Sequence, residues 1–346
     1  MFYLLKRSGQ LFALLVLSLS LQNCAENDTL STIPDSVEET PIAFINMENA
    51  TEVESLDDTE IESRTNSFYT FNTLNQALHC TGLGAVLGHG LNTIYAPSDA
   101  AFAKLGLNAH NVCSELSIST LKEILLYHVV TDELTGLHEV GCQKMANGDI
   151  TQRSIEQHRF FINESIIYRA FTQVGHTYKL RVFVITDVLE VPMDNIVETA
   201  SETSIFESLV AAVLAADPAI AAALSDDDAI LTVFAPTNAA FHDLIAAFGA
   251  SSLNELVHIV GVETLSTILL YHVVDACAFS NDLSDGLKLT TLQGEKVEID
   301  LHNLQVIDKT HDPAGLEVEL LDILTANGVV HGIDKVLLPQ EVLNNL

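Results

Sequence analysis

The chain has 346 residues with 47 acids against 15 bases, a formal net charge of −32 with His neutral. A field of that sign repels phosphate backbones and argues against nucleic acid as a partner. Hydrophobic residues make up 48% and mean hydropathy is +0.28, enough to bury real cores in about two globular domains.

At the N-terminus, Lys6 and Arg7 precede an almost continuously apolar run, Leu11–Leu21. The run is shorter than the ~20 residues of a membrane span, and Cys24 follows at once, so residues 1–23 are expected to be a signal peptide. Leu21-Gln22-Asn23-Cys24 resembles a bacterial lipobox, whose cysteine is diacylated. That resemblance implies Cys24 as a lipid attachment point; an ordinary signal peptide cleaved nearby would leave it a free thiol. Glu26 and Asp28 resemble the acidic signal that follows the cysteine of surface-exported lipoproteins. The expected location is the bacterial outer membrane at the cell surface, with the periplasmic face as the alternative. Residues 24–64 hold 12 acids and 1 base without clear periodicity and are expected to form a flexible tether.

The rest of the chain repeats itself. Thr93–Phe102 matches Thr232–Phe241 at an offset of 139, and Leu121–Val130 matches Leu265–Val274 at an offset of 144. Asp187-Val188-Leu189 lines up with Lys335-Val336-Leu337, with a proline shortly after each. Three blocks in one order mark a tandem duplication, with modules expected at 65–199 and 200–346.

Each block has a local reading. Thr232-Val233-Phe234 is a short β-type run ended by Pro236, and Thr93–Pro97 is its counterpart. Ser98-Asp99 and Thr237-Asn238 supply helix N-caps. Ala-rich Leu209–Leu224 reads as a core helix interrupted near Asp217-Pro218, with Asp217 as cap of a new helix. Leu265, Ile268, Leu269 and His272 recur at helical spacing, so a helix delivers Tyr271-His272 into a Val-Val strand. Leu289–Leu292, Lys296–Asp300 and Gln305–Asp308 are spaced like antiparallel strands, and Asn327-Gly328 signals a turn before a last strand. Helices first and strands after give an α+β class.

Thr232–Phe241, Leu270–Val274 and Asn327–Pro339 resemble the signatures of the fasciclin (FAS1) family, and the resemblance runs from about residue 66 to 342. The first copy departs at its end: Leu180–Pro192 lacks the Asn-Gly turn and has Phe183 in the place of His331. The resemblance implies two compact β-wedges flanked by short helices, extracellular, non-enzymatic and used for adhesion or surface association.

The candidate adhesion motifs are Tyr127-His128 and Tyr271-His272, together with His331. Apolar neighbours favour a structural role, with hydroxyl and imidazole hydrogen-bonded inside each module. Asp226-Asp227-Asp228 lacks the spaced acids of a calcium loop and reads as an exposed turn. No His-Glu-x-x-His, Cys-x-x-Cys, nucleophile elbow or phosphate loop occurs, so no catalytic residue, metal or cofactor is expected. Export permits disulfides. If pairing stays within a module, Cys80, Cys113 and Cys142 leave one thiol over and Cys277 stands alone; all four remaining reduced is an equal alternative.

The function expected is a non-catalytic surface adhesion or binding protein contacting an extracellular protein, polysaccharide or neighbouring cell. It would hold the membrane through its lipid. The alternative is a carrier of a small apolar ligand in the envelope. A hydrolase without a recognisable motif is the third class.

Overall fold

The computed structural model of the chain describes Ile45 and residues 50–55, 69–310 and 312–344. The expected signal peptide at 1–23, Cys24 and most of the expected tether at 24–64 lie outside the described residues.

In the first module a strand, β1 (Ala50–Ser55), precedes two helices, α1 (Asn72–Thr81) and α2 (Leu83–Leu87). Strand β2 (Gly90–Pro97) follows, then α3 (Asp99–Lys104), α4 (Val112–Glu115) and α5 (Ile118–Leu126). The remaining strands are β3 (Val129–Thr131), β4 (Gly141–Lys144), β5 (Ile150–Glu156), β6 (Arg159–Ile162), β7 (Ser165–Val174) and β8 (Tyr178–Ile185). They form one sheet in the order β3-β2-β8-β7-β6-β5-β4, in which only β2 and β8 run parallel. Ser98 caps α3 by accepting the Ala101 amide, as its position before an Ala-Ala-Phe turn requires.

The second module repeats the plan with helices α6 (Ile196–Glu202), α7 (Glu207–Ala215) and α8 (Pro218–Leu224), then β9 (Leu231–Pro236). Next come α9 (Asn238–Ala247), α10 (Leu253–Val260), α11 (Val262–Tyr271) and β10 (Val273–Val274). Strands β11 (Lys288–Thr290), β12 (Lys296–Asp300), β13 (Gln305–Ile307) and β14 (Ala314–Gly315) make an antiparallel sheet. A second sheet, β10-β9-β16-β15, contains β15 (Ile323–Thr325) and β16 (Gly328–Ile333), and α12 (Gln340–Leu343) closes the module. The break between α7 and α8 falls where Asp217 accepts the Ala219 amide and Pro218 opens the new helix. The two sheets and the helices enclose separate cores on either side of β9, β10 and β16.

The modules begin earlier than the repeat suggested. Within the expected tether, β1 pairs antiparallel with β7, Val53 opposite Phe171. Strand β6 covers only Ser165–Ile167 of β7, so Arg169–Gln173 would show an unpaired ladder without β1. Ile45 is buried in the first core, its amide and carbonyl both bonded to the Asn75 side chain. At the other boundary, Asn195 and Glu198 form a capping box that starts α6, and Ile196 and Ala200 pack in the second core. The second module therefore starts ahead of residue 200.

The cysteines correct the expectation of pairing within a module. Cys80–Cys113 ties α1 to α4, but Cys142 of β4 bonds Cys277 of the second module, 135 residues away. Around it Ile150 of the first module packs with Phe279, Val329 and Leu324 of the second, and Gln152 donates to Asn281 at 3.1 Å. At Gly141 φ is +98°, a conformation that favours glycine, and a Cβ there would lie 2.7 Å from Asp282 Oδ1 of the second module.

Candidate functional site: the paired Tyr-His motifs

Helix α5 ends at Leu126, so Tyr127-His128 sits on the turn into β3, and α11 delivers Tyr271-His272 into β10 in the same way. All four side chains are buried. The His128 Nδ1–H donates to the Ile124 carbonyl at 2.7 Å, and its Nε2 accepts the Leu189 amide at 2.9 Å. His272 repeats both contacts, Nδ1–H to the Ile268 carbonyl at 2.8 Å and Nε2 from the Leu337 amide at 2.8 Å. An acceptor at Nδ1 and a donor at Nε2 fix a neutral imidazole in one tautomer. Burial pulls both pKa values down to about 4, against a smaller upward push from the carbonyl at Nδ1.

The tyrosines hold the far strands. Tyr127 Oη donates to the Ile150 carbonyl at 2.8 Å and accepts from Asn163, and Tyr271 Oη donates to the Lys296 carbonyl at 3.0 Å. Burial raises both hydroxyls well above the ordinary tyrosine range. Each motif thus braces its helix, the closing Val-Leu segment and the second half of the wedge. None of the four side chains faces solvent.

His331 lies on β16 opposite Phe234 of β9, and Phe183 of β8 occupies the same register opposite Tyr95 of β2. Its Nε2–H donates to the Ala278 carbonyl at 2.8 Å and its Nδ1 accepts the Asp322 amide at 3.2 Å. Burial again lowers its pKa, opposed by the Ala278 carbonyl and the Asp322 carboxylate. Where Phe183 replaces it, the ring stacks on Tyr95 and both Arg153 and Arg181 lie against it.

Three features were not visible to motif reading. Thr93 and Thr232 each donate to one loop carbonyl and accept one loop amide, Glu133 and Thr135 in the first module, Ala276 and Ala278 in the second. Their recurrence at one position in both copies was the available signal. Asn327, read as a turn residue, is buried, donating to the Leu224 and Asp226 carbonyls and accepting the Ile196 amide. Arg153 is 3% exposed and donates to the Gly136 and Leu137 carbonyls, which nothing in the pattern of β5 announced.

Asp226–Asp228 forms an exposed turn, its first carboxylate accepting the Asp228 amide. Asp285, Asp300 and His302 bring one ligand atom each within 4.8 Å of the others at the surface, with His302 Nδ1 at 3.1 Å from Asp285. A polar cleft of about 310 Å³ beside Cys142 is lined by Glu133, Glu139, Gln143, Lys144 and Arg153. An apolar cavity of about 110 Å³ lies in the second module.

The fasciclin domain model matches residues 69–192 and 204–339. The chain is 30% identical to transforming growth factor-beta-induced protein ig-h3 of Sus scrofa over 221 residues, 63% of this chain and 30% of that protein. Protein sll1483 of Synechocystis is 37% identical over 145 residues, 42% of this chain and 73% of that protein. Human periostin is 25% identical over 286 residues, 73% of this chain and 29% of periostin. The chain thus spans under a third of the length of ig-h3 and of periostin. A solved FAS1 domain pair from the insect cell adhesion molecule fasciclin I aligns with 78% of this chain and 98% of its own, at 16% identity and a TM-score of 0.39. With both halves of the duplication matched, the chain is a member of the fasciclin domain family.

Proposed function

We propose that this protein is a non-catalytic binding or adhesion module, held at the bacterial cell surface by a lipid on Cys24. The observation that carries the reading is the match of both modules to the fasciclin family, with which adhesion is associated. The signature Tyr and His side chains are committed to internal hydrogen bonds, which leaves the outer, acid-rich surface to meet a partner. Two disulfides fit an oxidising compartment outside the cytoplasm. They use four of the five cysteines, so Cys24 is the one left for acylation. The partner is an extracellular protein or polysaccharide or a neighbouring cell.

The test is binding of the chain to matrix proteins, envelope polysaccharides and whole cells, with palmitate labelling of wild type and Cys24→Ser in parallel. Saturable binding together with label lost in Cys24→Ser supports both parts. Absence of binding to every surface defeats the adhesion reading, and label retained in Cys24→Ser defeats the anchor.

A further inference from the structure

The apolar cavity of the second module lies between α6 and α7, walled by Ile196, Ala200, Val210 and Val213, with Leu269 and Val273 behind them. Its lining is aliphatic apart from Ser201 and His272. Both of these are engaged elsewhere: Ser201 Oγ donates to the Val197 carbonyl at 2.7 Å, and both nitrogens of His272 are paired. Water entering would find no partner, and cavities of that kind stay dry and take apolar guests. The mouth is apolar as well. Leu214 of α7 lines it while 75% exposed, so the rim offers apolar surface to a guest.

The first module differs at the matching position of its own helix. Asp99 accepts the Thr73 amide and Asn238 the Ser208 amide, which sets α1 and α7 in register at an offset of 135. Asn75 then corresponds to Val210, and Asn75 holds Ile45 in the core by two hydrogen bonds. In the second module Val210 has no such clasp, and α6 leaves the space unfilled.

Charge narrows the guest. Helices α6 and α7 carry Glu198, Glu202 and Glu207 and neither Lys nor Arg, and the chain beyond residue 200 has no Arg. A carboxylate head at the mouth would find no basic side chain on either helix and would lose its hydration without a partner. We propose that this cavity binds the end of an uncharged alkyl chain, such as that of an alcohol, ester or glyceride, and discriminates against fatty-acid anions. The site is independent of surface binding and gives the apolar-ligand reading of the sequence a place and a chemistry.

The test uses the full chain titrated with 1-hexanol and, separately, hexanoate at neutral pH. Methyl resonances of Val210, Val213 and Leu269 report binding. Hexanol is expected to shift them saturably, with hexanoate weaker by roughly tenfold or more. Val210→Phe and, as a milder filling, Ala200→Val are expected to abolish the shifts while keeping a cooperative melt at or above the wild-type temperature. Absence of saturation with hexanol, shifts that survive in both filled variants, or equal binding of hexanoate would overturn the proposal. A failed adhesion assay leaves this titration unaffected, so the two readings fail separately.

Discussion

The imidazole of His272 accepts the backbone amide of Leu337 at 2.8 Å, 65 residues along the chain, and His128 makes the same contact with Leu189 at 2.9 Å. The helix that carries each histidine is thereby pinned to the last segment of its module. Losing the ring strands a buried amide and a buried carbonyl and opens a void. His272→Ala should therefore cost about 3 kcal/mol of stability, read as a lowered urea midpoint. A normal midpoint with lost binding would instead make His272 a contact residue.

The same rings set an acid limit. An unfolded histidine takes its proton near 6.5, whereas His128 and His272 do so only near 4. Between those values the unfolded chain binds more protons, so stability rises with pH across the window and their contribution is complete above about 6.5. The loss towards pH 4 should be on the order of 3 kcal/mol for each ring. Asp149 works in the opposite sense. Burial, with Glu123 and Asp227 nearby, raises its pKa to about 6, so it costs stability as pH rises through that value. Urea midpoints from pH 4 to 7 should climb, and less steeply in His128→Gln.

The disulfide between Cys142 and Cys277 joins the modules where Asp149 of the first feels the charge of Asp227 of the second. With both cysteines changed to serine, calorimetry should resolve two transitions in place of one. The loss should be up to about 5 kcal/mol, the chain-entropy value for a closed loop of this size. Added salt should partly restore coupling by screening the acids. A single unchanged transition would show that the apolar junction suffices alone.

Gly328 needs no positive φ; it is required by proximity. A Cβ there would stand 2.2 Å from the Leu231 carbonyl oxygen and 2.9 Å from Ile196 Cδ1. Gly328→Ala should destabilise by about 3 kcal/mol, because backbone must shift to admit it. Asn327→Ala should lose a comparable amount through three orphaned backbone groups. Both are read from thermal melts.

Much of the fold was legible in the chain itself. Pro97 and Pro236 ending strands, the caps at Ser98, Thr237 and Asp217, and the helical spacing before Tyr271 act through near neighbours. The duplication let each copy check the other, so the two α+β modules and Phe183 at the place of His331 were legible in the chain, while the pairing of Phe183 with Tyr95 came from the strand register. What the tertiary structure alone decided has one physical character: it depends on groups far apart in sequence meeting in space. Apolar neighbours pointed the Tyr-His pairs inward, but no local pattern names the amide 65 residues away that closes one, nor tells a lone Cys277 from one facing Cys142 across 135 residues. Nor does the composition of an acidic stretch show that the open edge of β7 draws six of its residues into a strand, or that α6 packs over α7 with room to spare. Those outcomes are set by which buried backbone groups and apolar faces still lack partners once the local elements have formed.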